Sequence, residues 1–145
     1  MNEGCVGDDY LILFDESEVA TLSDLYTFSQ FLPGFQVLGL RGWDDFIVRD
    51  SQGRTFSIPI VPLELKYLSP FAIPERTEDL RPDARFRGKI KWYLKPIVFG
   101  GDPSARENMR WVSLEEHAEL VRWWNDLHRS LTNKGPCGAE RVDRA

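Results

Sequence analysis

The hydrophobic positions along the chain follow two periods, and each period predicts a different kind of element. Residues 10–14 form an uninterrupted apolar run that is short enough for a strand buried on both faces. Apolar side chains within residues 19–26 then recur at helical spacing, and Asp15 or Ser17 can cap the predicted helix. The proline–glycine pair at residues 33–34 ends this helical segment, because proline lacks an amide donor and glycine accepts positive φ.

The middle of the chain predicts a meander of strands. Residues 35–40 give the first strand, and Phe46 and Val48 share one face of the second. Residues 55–60 alternate between apolar and other side chains, as a third strand with one buried face would. The Asp-Ser-Gln-Gly sequence at 50–53 suits a type I turn with a glycine bulge. The pattern therefore predicts consecutive strands joined by tight connections.

The chain then becomes charged before it becomes apolar again. Residues 74–89 carry both signs of charge and few apolar side chains, which predicts a surface excursion with a short helix at 77–80. Two apolar stretches follow, at 92–99 and 109–112, and the Gly-Gly-Asp-Pro sequence at 100–103 predicts a turn between them.

The last predicted element is a long amphipathic helix. Ser113 and Glu116 have the spacing of a capping box, in which each side chain accepts the other residue's amide. Residues 133–145 predict a loose tail, so a single domain is expected over 7–132. The apolar stripe of the helix contains His117, Leu120, Val121, Trp124, Leu127 and Leu131.

Composition limits the class of protein. The 145 residues are 42% hydrophobic and 28% charged, as in an ordinary folded domain. No apolar run approaches the ~20 residues that cross a bilayer, and the acidic start of the chain does not resemble a secretory signal, which predicts a cytoplasmic protein that does not bind membranes. In that reducing compartment Cys5 and Cys137 are expected to be free thiols.

The charge balance bears on partners. With 18 Lys and Arg against 23 Asp and Glu, the net charge is −5. An acidic domain repels phosphate backbones, so direct nucleic-acid binding is not expected. The same charge favours a basic protein partner, for example a nuclease.

The histidines do not predict a metal site. His117 and His128 lie eleven residues apart on one helix, which separates them by about 16 Å. Each is expected at the helix surface or at the margin of the core. The glycines at 100–101 lack the spacing and the lysine of a phosphate-binding loop. No catalytic, cofactor or metal site is therefore predicted from these residues.

One catalytic alternative remains open. Glu64-Leu65-Lys66, placed on a strand with Asp44 or Asp45 nearby, would have the residue types with which restriction-like nucleases hold Mg²⁺ and activate water. Pro62 disfavours a central strand at this position, and the net acidity opposes DNA binding.

The link between the first two meander strands is a candidate partner-binding site. It comprises Arg41, Gly42, Trp43, Asp44 and Asp45, in which a large hydrophobic side chain precedes two carboxylates. Trp43 can serve as an anchor in a partner's surface. The alternative is that its ring folds back onto the sheet and belongs to the core.

Several short segments, taken in order, form a family-like pattern: 7–14 (GDDYLILF), 31–35 (FLPGF), Gly39, 58–65 (IPIVPLEL), 99–103 (FGGDP), Asn108, 111–112 (WV) and 122–125 (RWWN). In this order they resemble the SUKH superfamily, which includes yeast cell-wall-synthesis regulators of the Smi/Knr type and many bacterial toxin-immunity proteins. The resemblance implies an α+β fold with a twisted, mainly antiparallel sheet and packed helices, and a non-catalytic role without cofactors.

The chain departs from the family pattern in two places. Residues 40–45 replace the glycine-rich hairpin that members usually carry, so no role of that hairpin is carried over. The helical segment that usually precedes the first strand has no counterpart before residues 2–4, and the chain is therefore expected to be N-terminally truncated relative to the family.

Three functions follow as hypotheses. The first is an immunity-type protein that binds and neutralises a cognate bacterial toxin. The second is a regulatory scaffold that binds other proteins. The third is a metal-dependent nuclease in which Asp45, Glu64 and Lys66 carry the chemistry.

Overall fold

A computed structural model describes residues 1–7, 9–74, 80–86 and 88–133. Within them the chain forms a six-stranded sheet, a two-stranded sheet and three α-helices. The strands are β1 (Asn2–Val6), β2 (Asp9–Leu13), β3 (Gln36–Arg41), β4 (Asp45–Arg49), β5 (Thr55–Pro59), β6 (Ser69–Pro70), β7 (Ile90–Tyr93) and β8 (Met109–Val112), and the helices are α1 (Glu16–Leu25), α2 (Phe28–Phe31) and α3 (Leu114–Asn133). No helix in these ranges combines the length and the apolar character that a membrane crossing requires.

The large sheet is antiparallel throughout, and its strands lie side by side in chain order from β1 to β6. The predicted meander is confirmed, and the fold class is α+β. β1 is an addition that the sequence did not predict. At residues 50–53 the Gly53 amide donates to the Asp50 carbonyl at 3.1 Å with φ at 82°, which confirms the predicted glycine turn.

Gly39 marks an irregularity inside the sheet. The register between β3 and β4 shifts between Val37 and Gly39, so the strand bends there. A Cβ atom at residue 39 would lie 2.0 Å from the carbonyl oxygen of Ile12 on β2. Only glycine therefore allows the two strands to approach this closely.

The predicted helix after β2 is divided into two. It begins as expected at Asp15, whose amide donates to the Glu18 carboxylate at 2.9 Å. It ends early, because Thr27 adopts a left-handed conformation with φ at 52°. The turn brings Tyr26 and Phe28 onto the same buried ring of β4, Phe46, at 4.8 and 5.6 Å between ring centroids. The burial of both aromatic rings explains why the helix does not continue to residue 33.

The large sheet is buried on both faces, as the apolar run in β2 predicted. Tyr10 and Ile12 face the main core, which includes side chains of α2, α3, β7 and β8. Leu11 and Leu13 face a second, smaller core on the opposite side.

The charged segment at 74–89 is more than a surface excursion. Leu80 is buried in the second core, and Arg81 exchanges two backbone hydrogen bonds with Cys5 of β1, at 2.9 and 3.1 Å. Phe86 packs against the main core. Two isolated apolar side chains within a charged stretch are a weak signal, which is why the packing was not predicted. Most of the helix expected at 77–80, and nearly all of the tail expected at 133–145, lie outside the described residues.

α3 closes the main core and begins at the predicted capping box. The Ser113 amide donates to the Glu116 carboxylate at 3.0 Å, and the Glu116 amide donates to the Ser113 hydroxyl at 3.2 Å. Further along, Arg122 donates to the carbonyl of Leu25, and Arg129 donates to the carbonyl of Phe31, at 3.0 and 2.7 Å. These guanidinium groups fix α3 against the C-terminal ends of α1 and α2.

The expectation for His117 was wrong. The side chain lies fully buried in the core, with Nδ1 2.7 Å from the hydroxyl oxygen of Tyr26. Its Nε2, like Nε1 of the buried Trp92, has no hydrogen-bond partner within the described part of the chain. Burial lowers the pKa of His117 to about 3, so the ring is neutral at physiological pH.

Candidate functional site

A cleft of about 380 Å³ opens where the large sheet meets the small one. Residues 43–45, at the start of β4, and residues 59–62, at the end of β5 and after it, form one wall. Trp92 and Tyr93 of β7 form the other wall, together with residues 96–98 in the turn that follows. The lining residues are Trp43, Asp44, Asp45, Pro59, Ile60, Val61, Pro62, Tyr67, Trp92, Tyr93, Pro96, Ile97 and Val98. The cleft is therefore mainly apolar, with two adjacent carboxylates in one wall.

The wall that follows β5 is held in place by a buried amide on α3. The Asn125 side chain accepts a hydrogen bond from the Leu63 amide at 2.8 Å and donates to the Ile60 carbonyl at 2.8 Å. It also donates to the carbonyl of Val121 within its own helix, at 2.9 Å. Asn125 is 2% exposed, so these bonds are shielded from water. Sequence reasoning missed this residue, although a lone asparagine beside the apolar stripe of α3 was the available signal.

The opposite wall is a turn that exposes large apolar side chains. Ile97 is 50% exposed and Val98 is 46% exposed, and Tyr67 across the cleft is 44% exposed. The turn is fixed from behind, since the Asn108 side chain accepts from the Lys95 amide at 2.8 Å and donates to the Lys95 carbonyl at 3.0 Å. The backbone that carries Ile97 and Val98 is therefore held in place by hydrogen bonds to Asn108.

The two carboxylates of the cleft are poorly compensated. Partial burial raises the pKa of Asp44, and Lys91 opposes this rise. Partial burial also raises the pKa of Asp45, and the adjacent Asp44 raises it further. Arg41 opposes the rise at Asp45, but its guanidinium already pairs with Asp9 at 3.3 Å. Two like charges are thus adjacent in the chain, with Asp45 half-buried and Asp44 exposed.

Removing the charges of Asp44 and Asp45 is expected to stabilise the protein. We expect Asp44→Asn combined with Asp45→Asn to raise the melting temperature at pH 7, because the native fold holds both carboxylates where ionisation is disfavoured. The native pKa values lie above the unfolded ones, so the penalty grows as pH rises through them and disappears at acidic pH. Melting curves at pH 7 and pH 3 measure the difference. An equal or lower melting temperature of the variant at pH 7 would contradict this assignment.

Three of the four predicted partner-binding residues line the cleft, and the fourth does not. Trp43, Asp44 and Asp45 line the cleft. Arg41 does not; it pairs with Asp9, and its guanidinium lies 4.7 Å from the centroid of the Phe71 ring. Arg41 therefore contacts residues outside the cleft.

Trp43 belongs partly to the core. Its ring stacks on Tyr10 with centroids 5.3 Å apart and meets Phe86 and Trp111 edge-on at 5.7 and 5.5 Å. The side chain is half-buried and forms one end of the cleft. Trp43 thus folds back onto the sheet and still contributes to the candidate surface.

The residues of the nuclease hypothesis are not arranged as it requires. Glu64 precedes a 3-10 turn at Leu65–Tyr67, so the Glu-x-Lys sequence does not lie on a strand. Glu64 lines a second pocket of about 350 Å³, together with His128, whereas Asp45 lines the cleft. Among residues 1–7, 9–74, 80–86 and 88–133, no three His, Cys, Asp or Glu side chains are grouped so that they could hold a metal ion.

The chain matches no family model, no curated protein and no solved structure.

Proposed function

We propose that this chain is a non-catalytic protein-binding module of the SUKH type, which acts in the cytoplasm and neutralises a cognate bacterial toxin by covering its active site or substrate groove. The observation that carries the proposal is the cleft with its exposed apolar rim. Exposed apolar side chains grouped around a concave surface are a common mark of a protein interaction site.

Two further features support this function over the alternatives. The antiparallel sheet with packed helices has the coarse architecture that the SUKH resemblance implies, and a SUKH-like fold is part of the proposal. The net charge of −5 favours a basic partner, as a nuclease toxin would be. The nuclease hypothesis for the chain itself loses support, because Glu64 and Asp45 line different pockets.

Co-expression tests the proposal directly. A toxin gene adjacent to the gene of this chain is induced in a bacterial host, with the intact chain or with an empty vector. We expect the chain to restore colony formation by several orders of magnitude, because an immunity protein must suppress nearly all of the toxin's activity. An unrelated toxin serves as the control and should remain lethal. Lethality that the chain does not reduce would refute the immunity role and leave the regulatory scaffold.

A further inference from the structure

We infer that the cleft binds an extended segment of the partner, which adds as a strand to the free edge of β7. The backbone of the segment would bond to Lys91 and Tyr93, and every second side chain of the segment would be apolar. This inference rests on the proposed protein-binding function and names the kind of segment that the cleft would bind.

The first argument is that one edge of β7 carries unpaired backbone groups. Within the described residues, β7 pairs only with β8. The Leu94 amide donates to the Asn108 carbonyl at 2.7 Å in the same register, and hydrogen-bonded positions of an antiparallel pair recur at every second residue. The backbone groups of Trp92 therefore point towards β8, while those of Lys91 and Tyr93 point away from it. No backbone group in the described part of the chain bonds to the amides or carbonyls of Lys91 and Tyr93.

The second argument is that the cleft runs along this free edge. Successive side chains of a strand point to opposite faces, yet Trp92 and Tyr93 both line the cleft. A cleft that is lined from both faces of β7 lies along an edge of the strand. The other edge of β7 is covered by β8, and β8 contributes none of the described lining residues. The cleft therefore borders the edge from which Lys91 and Tyr93 direct their backbone groups.

The third argument concerns the size of the cleft. Residues 59–62 lie across it from β7, and its volume of about 380 Å³ is at the small end of the range for ligand pockets. This space suits a few residues of a single strand. The edge of a whole sheet, as a second copy of this chain would present, is bulkier than the cleft allows.

The two faces of β7 determine which side chains the segment should carry. A residue that pairs opposite Trp92 shares its face, on which Trp92 packs in the main core with Ile60 of the other cleft wall. This residue is expected to be apolar. The next residue of the segment lies on the face of Tyr93, near the opposite charges of Asp44 and Lys91, which offset each other. A neutral polar side chain is expected there.

Other occupants satisfy the edge less well. The backbone of an α-helix is bonded within the helix, and an apolar small molecule has no hydrogen-bonding groups to offer. Either would cover the amides and carbonyls of Lys91 and Tyr93 without pairing them, and unpaired backbone groups removed from water are costly. An extended segment bonds to these groups and fills the apolar part of the cleft as well.

The test uses a synthetic peptide of alternating character as the probe. An acetylated valine–threonine–valine–threonine–valine amide is titrated into the isotopically labelled protein. We expect the amide resonances of Lys91 and Tyr93 to shift, and their hydrogen exchange to slow, with a Kd on the order of 1 mM. The amide of Trp111, which points away from β7 at the outer edge of β8, is the internal control and should not change.

Two methylated peptides separate strand addition from binding by side chains alone. One carries N-methyl groups on both threonine amides, and the other carries them on the third and fifth residues, which are valines. These two sets of amides point to opposite edges of the segment, and only one edge can face β7. We expect one methylated peptide to bind at least about tenfold more weakly than the parent, and the other to bind within about twofold of it.

A pair of substitutions at one position provides the matched comparison in the protein. Lys91→Pro removes an amide that points away from β8, so the pairing of β7 with β8 keeps its hydrogen bonds. Lys91→Ala removes the same side chain and keeps the amide. We expect the proline variant to bind the parent peptide at least about fivefold more weakly, and the alanine variant to bind it within about twofold of the intact chain. If Lys91→Pro disturbs the spectrum of the free protein, the methylated peptides decide the question alone.

Two results overturn the inference. One is an equal effect of the two methylation patterns, and the other is the lack of any shift at Lys91 and Tyr93 up to several times the expected Kd of about 1 mM. Either result, combined with rescue from the toxin by the intact chain, removes strand addition and leaves the immunity function standing. Binding of the peptide in the expected pattern without rescue supports strand addition and refutes the immunity function.

Discussion

Replacing Asn125 by alanine is expected to lower the free energy of unfolding by roughly 3–5 kcal/mol, out of the 5–15 kcal/mol typical of a domain. The change removes the buried hydrogen-bond partners of the Leu63 amide and the Ile60 carbonyl, both of which lie at 2.8 Å from the Asn125 side chain. A buried backbone group left without a partner loses about 1–3 kcal/mol, and two such groups remain after the substitution.

The hydrogen bonds that Asn125 makes lie at the cleft wall, and their loss is expected to destabilise the whole domain. Residues 59–62 line one wall of the cleft, and Ile60 and Leu63 belong to the main core. Asn125 is 2% exposed, so the backbone groups that it bonds lie away from bulk water. The variant should therefore unfold at lower denaturant concentration and should also lose part of the cleft wall while still folded.

Urea denaturation followed by tryptophan fluorescence measures the difference. Asp126→Ala is the matched control, since its side chain makes one exposed hydrogen bond, to Gln30 at 3.1 Å, on the adjacent helical position. It should change the free energy of unfolding by about 0.5 kcal/mol or less. A loss at Asn125 below about 1 kcal/mol would mean that the wall is held by other contacts.

Acidification should destabilise the protein through His117 by about 2 kcal/mol at pH 5 relative to pH 7.5. In the unfolded chain the imidazole titrates near 6.5, whereas burial lowers its pKa to about 3 in the fold. The unfolded state thus binds a proton that the native state excludes. The stabilisation from this difference is complete above about pH 6.5 and is lost progressively as pH falls towards about 3, with a slope near 1.4 kcal/mol per pH unit.

The effect is isolated by comparing variants across pH. His117→Asn keeps a polar atom near the position of Nδ1, where it can bond to Tyr26, but it cannot titrate. It should be less stable than the intact chain at pH 7.5, and the gap should shrink by about 2 kcal/mol at pH 5. His128→Gln removes the other histidine and should leave the contribution of His117 in place. A gap between His117→Asn and the intact chain that stays constant from pH 7.5 to pH 5 would show that the buried ring is protonated without penalty.

Local sequence patterns predicted much of the fold because they act over a few residues. The apolar run at 10–14 and the Ser113–Glu116 capping box each depend on neighbours in the chain, and each is found as expected. The alternation at 55–60 does give a strand, but Ser57 on its second face is buried as well. The break at Thr27 was not predicted, since it results from packing of Tyr26 and Phe28 on a strand that follows later in the sequence.

The candidate site was predicted only in part for the same reason. Trp43, Asp44 and Asp45 stood out as a short cluster, and they do line the cleft. Their apolar partners, such as Ile97 and Tyr67, are separated from them by more than twenty residues, and nothing in the local pattern joins them. The role of Asn125 depends on a hydrogen bond to a residue 62 positions earlier. Contacts of this kind are set by the tertiary fold.

The claim that the chain acts through its cleft is tested most directly by survival of toxin-expressing cells with one substitution at the rim. Ile97→Asp places a charge on a 50% exposed apolar rim residue, and Leu131→Asp places the same charge on a 52% exposed leucine of α3 outside the cleft lining. We predict that Leu131→Asp protects as well as the intact chain, while Ile97→Asp reduces survival at least about tenfold, as expected when an apolar contact of the interface is replaced by a desolvated charge. Equal protection by the two variants would contradict the account.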